Sequence, residues 1–185
     1  MMPTSTDALS TIRLKLASFA DHNDIASLHA RSWQQHYRGI LTDEYLDNVV
    51  VQDRAALWQQ RLSSPACNQR IVMAMLENEL AGFACVFLDN DPVYGTLLDN
   101  LHVSLRLHKL GIGKLLMKEC ARQVMMTQST PSMYLWVFEA NTNARKFYEG
   151  MGGILAEKTK KDHEDGTNAL VCRYAWKDVS SIERL

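Results

Sequence analysis

The sequence is sparing in the features that usually place a protein. Across 185 residues the formal net charge is only -1, so no global basic field points to a nucleic-acid partner or a membrane surface, and any anion site must be local. No apolar run approaches the ~18 residues that a spanning helix requires, which argues against a membrane protein. Residues Met1 to Ser10 are rich in Ser and Thr and lack a basic start followed by an apolar core, so they read as a flexible N-terminus rather than a signal peptide. The four cysteines, Cys67, Cys85, Cys120 and Cys172, are far apart and form no CxxC pair. That spacing excludes a disulfide framework or a cysteine-based zinc site and suits the buried thiols of a reduced, cytoplasmic protein.

What is present is a regular succession of elements. Ile12 to Leu16 reads as a strand, and Ile25, Leu28, Trp33 and Tyr37 recur at helical spacing after the capping residues Asp21 to Asp24. A helical segment begins at Thr42, and another follows Asp53 with Ala55, Trp58 and Leu62 on one face. Arg70 to Leu76 and Leu80 to Leu88 form a hairpin with apolar residues on both faces, as central strands require. Further strands are expected at Thr96 to Val103, Met133 to Phe138, Ile154 to Lys160 and Ala169 to Trp176, with helices after Gly113 and over Asn141 to Gly150. The order describes one α/β domain over residues 11–178 with a mixed sheet and a tail at 179–185. A doubly wound dinucleotide fold would alternate strand and helix from the start.

The chain turns on Leu97 to Met125, where a strand breaks at Gly111 and Gly113 and runs on into a helix. A helix start of this kind leaves free N–H groups, and small residues let an anion approach them. Gly111-Ile112-Gly113-Lys114 lacks the spacing and the hydroxyl of a nucleoside-triphosphate loop, and no third glycine completes a dinucleotide fingerprint.

Val103 to Gly113 resembles motif A of the GNAT (Gcn5-related N-acetyltransferase) superfamily, in which Gln or Arg precedes a Gly-x-Gly/Ala turn. Here His108 stands at the Gln/Arg position and Leu105 where proline is frequent. Asn141 to Gly152 is similar to motif B of the same family, with Asn141, Ala144, Phe147 and Tyr148 in register. Gly153 takes the place of the family's usual aromatic, which predicts looser packing there. The resemblance implies a GNAT-like single domain, a mixed central sheet of about seven strands splayed between strands 4 and 5, with helices on both faces. It implies acetyl-CoA as co-substrate and no metal. The amides of His108, Lys109, Leu110, Gly111, Ile112, Gly113 and Lys114 would take the pyrophosphate, and Asn141 and Ala144 the pantetheine arm. A backbone N–H near Leu101, His102 or Val103 would hold the thioester oxyanion. Arg106, Lys109, Lys114, Arg145 and Lys146 would supply local positive charge.

Tyr148 is then the candidate general acid, because a leaving thiolate needs a proton. The base is harder to place. An amine of pKa about 10.4 is neutral in about one molecule in 2,500 at pH 7, equivalent to about 4.6 kcal/mol. His102 and Asp99 are the candidates, and strand alternation puts them on opposite faces. Trp33, Tyr37 and Arg38 are expected to line the acceptor site. Asp89, Asp91 and the turn Asp162 to Asp165 offer attraction for a cationic substrate. The reading that results is acetyl transfer to a primary amine by direct attack in a ternary complex, with a small-molecule amine favoured. A protein N-terminal or lysine acetyltransferase is the alternative acceptor class, and a non-catalytic acyl-CoA sensor the alternative outside enzymes. A closed pocket between the early helices and the turn at Asp162 to Asn168 would favour a small amine, an open groove a peptide amine. Dimerisation through the last strands is plausible.

Overall fold

The computed structural model describes residues 11–127 and 131–185; the expectation for Met1 to Ser10 lies outside the described residues. Seven strands form one sheet in the order β1-β2-β3-β4-β5-β7-β6, where β1 is Ile12–Leu16, β2 Gln69–Leu76, β3 Glu79–Asp91, β4 Gly95–Val103, β5 Met133–Phe138, β6 Ile154–Asp162 and β7 Asn168–Trp176. Every neighbouring pair is antiparallel except β4 and β5, which are parallel. The helices are α1 (His22–His36), α2 (Asp43–Asn48), α3 (Val50–Ser63), α4 (Ile112–Thr127), α5 (Thr142–Gly150) and α6 (Ser180–Glu183). Among the described residues no helix is long and apolar enough to cross a membrane.

The two faces of the sheet are separated by the two-residue period of the strands. Ile71, Met73 and Met75 of β2 join Phe83 and Cys85 of β3 against Ile25, Leu28 and Trp58 of α1 and α3. The alternate residues Val72, Ala74, Ala84 and Val86 lie in a second cluster with Leu116, Cys120 and Val124 of α4. This is why both hairpin arms are apolar on both faces. Gly82 of β3 permits the approach of α4: a Cβ there would stand 2.8 Å from the His102 carbonyl oxygen and 3.2 Å from Leu116 Cδ1. A third cluster, with Leu41, Leu46, Phe138 and Val171, closes the side of the sheet under α1 and α2.

The elements fall where the sequence places them, with differences at their ends. α3 begins at Val50, one turn before Asp53, and β3 runs on through Asp89 to Asp91. Residues 179–185, read as a tail, contain α6, with Val179 and Ile182 fully buried in the cluster that α4 supports. Cys85, Cys120 and Cys172 are buried free thiols, and Cys67 is exposed.

Candidate active site

β4 and β5 are paired only through Thr96 with Met133 and Leu97 with Tyr134. Beyond that point β4 continues along β3 while β5 follows β7. The two parallel strands therefore part, and the gap opens into a cavity of about 1010 Å³. Its walls divide into a half built from the glycine turn and α5, and a half built from α1, α3, β5 and the turn between β6 and β7.

In the first half, Lys109 and Gly111 take left-handed backbone conformations, with φ of +66° and +84°. Leu115 donates its amide to the Gly111 carbonyl at 3.0 Å. The amides of Gly111 to Lys114 find no backbone acceptor among the described residues, and the first turn of α4 carries no acidic side chain. The positive end of the helix therefore reaches the cavity unneutralised, a ready cradle for a phosphate. Gly113 has a further reason to be small, since a Cβ there would lie 3.3 Å from Phe147 Cζ. His108 points its Nε2 at the Val103 carbonyl oxygen at 3.0 Å and stacks on His36, ring centroids 5.7 Å apart and 5° from parallel.

Asn141 is the N-cap of α5: its Oδ1 accepts the Ala144 amide at 3.2 Å. Four residues on from Ala144, Tyr148 is 9% exposed and reaches the cavity. Its hydroxyl has no hydrogen-bond partner among the described residues, and burial pushes its pKa above the ordinary tyrosine value. The phenol is thus protonated and free to donate. Packing beside Gly153 is tight rather than loose. Trp176 of β7 supplies the missing aromatic, so that a Cβ on Gly153 would stand 2.7 Å from Trp176 Cζ2, and the Trp176 indole donates to the Met151 carbonyl at 2.8 Å.

The second half is lined by aromatic and charged side chains. Trp33 and Tyr37 of α1 pack 5.3 Å apart, and Tyr37 meets Phe138 of β5 edge-on at 4.7 Å. The Tyr37 pKa is pushed up to about 12 by burial. Arg54 of α3 lies over the Trp33 ring at 4.2 Å, and Lys161 of β6 over Trp136 at 3.6 Å. The turn from β6 to β7 folds across this end. Asp165 Oδ2 accepts the Thr42 amide at 2.6 Å, and Glu164 pairs with Arg54 at 3.4 Å.

Several expectations need correction. Asp99 and His102 face the same side of the sheet, toward α1 and α3: Asp99 pairs with Arg61 of α3 at 2.7 Å, and His102 Nδ1 lies 2.8 Å from the Ser32 hydroxyl of α1. The cause is a bulge. Cys85 opposes Asn100 but Val86 opposes Leu98, so Asp99 is an extra residue that interrupts the alternation. Burial lowers the His102 pKa to about 3, so it is neutral across the ordinary range. Arg38 does not line the cavity. It lies at the end of α1 and turns outward to Asp43 at 2.8 Å and to Asp47. Leu110, expected to contribute its amide, packs its side chain against the core. Of the five expected cations only Lys109 and Lys114 line the cavity; Arg106 turns to Glu79 at 3.3 Å, and Arg145 to the Tyr174 hydroxyl at 3.2 Å. The acidic turn is already engaged, Asp162 accepting from Asn168 at 2.6 Å and Asp165 from Thr167 at 2.7 Å as well as from the Thr42 amide, with Glu164 paired to Arg54.

Sequence reasoning missed Ser32, Arg54, Arg61, Trp136, Phe138 and Lys161, all of which line the cavity, while His163 and Glu164 lie in the turn that it did single out. Trp136 and Phe138 had a readable signal, because they alternate on one face of a strand next to the gap. The others come together only through long-range packing.

A parallel strand pair that parts over an unneutralised helix start, with a buried phenol facing the gap, defines an acyltransferase of the kind that lays a thioester cofactor into its sheet. Residues 25–152 match the family model described as "Acetyltransferase (GNAT) family". The chain belongs to that family and is an acetyltransferase. It is 28% identical over 178 residues to "Probable N-acetyltransferase Rv2775" of Mycobacterium tuberculosis, covering 94% of this chain and 89% of that protein. "Uncharacterized N-acetyltransferase YuaI" of Bacillus subtilis is 22% identical over 178 residues, covering 94% and 98%. Among solved structures, the PaiA N-acetyltransferase of Thermoplasma acidophilum in complex with coenzyme A superimposes with a TM-score of 0.69 at 18% identity, covering 89% of this chain and 99% of that one. A GCN5-related N-acetyltransferase from Rhodopseudomonas palustris gives 0.72 at 17% identity, covering 90% and 96%. The two solved structures share the fold of this chain.

Proposed function

We propose that the protein transfers acetyl from acetyl-CoA to the amine of a small molecule, by direct attack in a ternary complex. The observation that carries the small acceptor is the turn tied down at the far end of the cavity, where Asp165 is bonded to the Thr42 amide and Glu164 is paired with Arg54. A peptide would need that turn to stand open as a groove. The aromatic walls from Trp33, Tyr37 and Phe138 suit the body of a small ligand. A cytoplasmic setting fits the buried free thiols.

In this reading the amides of Gly111 to Lys114 take the cofactor's pyrophosphate, helped by the ammonium group of Lys109, while the Lys114 ammonium donates to the Leu185 carbonyl oxygen at 2.6 Å. The free edge of β4 from Leu101 to Val103 lines the pantetheine arm, and a backbone N–H there holds the oxyanion. The amine nitrogen attacks the thioester carbonyl carbon, the carbon–sulfur bond breaks, and the departing thiolate takes the proton of Tyr148. Desolvation in the aromatic half favours the neutral amine before attack. The proton lost by the amine goes to water, and a proton from water restores the Tyr148 phenol; His102, hydrogen-bonded with Ser32 and with its pKa lowered by burial to about 3, lines the site as a neutral polar group rather than as the base. Asp99, held by Arg61, is not needed as a base. The test is an acceptor screen reading released CoA thiol against a no-acceptor control, beside calorimetry of acetyl-CoA. Micromolar cofactor binding with acetylation of at least one small amine is expected. Absence of acetyl-CoA binding overturns the cofactor assignment, and exclusive use of peptide amines overturns the small acceptor.

A further inference from the structure

The acceptor half of the cavity carries donors that the protein itself leaves unused. Arg54 is 5% exposed and lines the cavity. Its two carboxylate partners, Asp53 at 2.9 Å and Glu164 at 3.4 Å, both take the terminal nitrogen Nη2. Nε is buried with no hydrogen-bond partner among the described residues. A guanidinium presents its N–H groups as a planar fork that fits the two oxygens of a carboxylate, and a buried donor without a partner is rare unless something else completes it. Nε2 of His163, on the same wall, is also buried without a partner. Lys161 rests on the face of Trp136 and has no carboxylate within ion-pair distance among the described residues.

The cavity's acidic groups are in the opposite condition. Asp99 is held by Arg61 at 2.7 Å and Glu164 by Arg54 at 3.4 Å. Both lining carboxylates are therefore already matched with cations, while the cationic side keeps unmatched donors. A polycationic acceptor would find no free carboxylate here, and an anionic group would find Arg54, Lys161 and His163. We propose that the acceptor is an amine that also carries a carboxylate, and that Arg54 is the residue that selects it. The inference rests on the small-amine reading above and adds the acceptor's charge class. The carboxylate would seat beside Arg54 and Lys161 and leave the amine to meet the acetyl group at the Tyr148 end of the cavity.

The experiment compares matched pairs of amines, each an amino acid and its primary amide, with polyamines alongside, by released CoA thiol and by calorimetry in the presence of CoA. The acids are expected to show kcat/KM at least ten-fold above their amides. Arg54→Gln is expected to bring that ratio to about one while acetyl-CoA affinity holds. Because Arg54 is buried, Lys161→Gln on the outer strand serves as a second variant. It is expected to raise KM several-fold for the acids and to leave the amides unchanged. Equal or better turnover of amides or polyamines overturns the inference and leaves small-amine acetylation standing. Cofactor binding with no acetylation of any amine, charged or neutral, overturns both.

Discussion

The indole Nε1 of Trp58 donates a 2.9 Å hydrogen bond to Nδ1 of His29, and neither side chain is exposed to solvent. An indole nitrogen only donates, so Nδ1 must be the accepting nitrogen and the ring proton sits on Nε2. The His29 ring lies 4.5 Å from that of His102, so the neutral tautomer of one histidine is built in beside the other. Burial holds the His29 pKa well below the ordinary histidine value, and His102 is lowered to about 3.

Acid sensitivity follows from that pair. Below pH of about 6.5 the unfolded chain takes up protons that the folded chain refuses, so stability is fully present above this pH. For His102 it is lost as pH falls toward about 3, by up to about 1.4 kcal/mol per pH unit, and His29, also lowered by burial, adds a loss of the same sign. Urea midpoints at pH 7.5, 5.5 and 4.5 should fall in that order. His29→Gln, which keeps an acceptor for Trp58, should flatten the slope. A midpoint unchanged down to pH 4.5 would mean that both rings ionise in the folded state.

Replacing Tyr148 by Phe removes the one hydroxyl and keeps the ring that packs against Phe147 and Trp176. On any accepted amine kcat should fall by about 10²-fold or more, within the usual range for a positioned acid. Calorimetric affinity for acetyl-CoA should stay within about two-fold, as expected of a group that acts in the transition state rather than in binding. An unchanged kcat would remove Tyr148 from the chemistry.

Asp165→Ala cuts the bond from the β6–β7 turn to the Thr42 amide. The turn should loosen, and KM for the acceptor should rise by roughly ten-fold, the equivalent of a charge-assisted hydrogen bond. Acetyl-CoA binding, at the other half of the cavity, should not move. A parallel loss of cofactor affinity would show that the turn supports the whole cleft instead of its acceptor end.

Gly82→Ala places a Cβ 2.8 Å from the His102 carbonyl oxygen, a backbone atom that cannot rotate away. Either β4 or α4 must shift. A loss of about 1–3 kcal/mol is expected, read from the urea midpoint, together with lower activity because His102 moves with its backbone. Wild-type stability in this variant would mean that the sheet yields at no cost.

Much of the fold was written locally. The alternation in β2 and β3, the helical spacing of α1 and α4, and the glycine turn each depend on residues within a few positions of one another. The motif ending at Tyr148 is local as well, since Asn141 caps the same short helix that carries the phenol. Those features were enough to identify the family and to mark the glycine turn and Tyr148, which line the cavity. The acceptor half was legible only in part. Trp33 and Tyr37 could be taken from one helix face, but nothing near Arg38 in the chain reveals that Asp43 and Asp47 draw it outward.

What the tertiary structure alone decided are relations between distant segments. The bulge at Asp99 depends on how β4 registers against β3, and it brings Asp99 to Arg61 and reverses the expected separation from His102. Arg54 and Glu164 stand 110 positions apart in the chain and meet because the last hairpin folds over α3. Trp176 fills the gap at Gly153 from another strand. The sequence determined the glycine turn at the start of α4 and the tyrosine near the end of α5, because backbone geometry and helix spacing are short-range. The charge and closure of the acceptor pocket are sums over side chains from separate elements, which only packing brings within reach of one another.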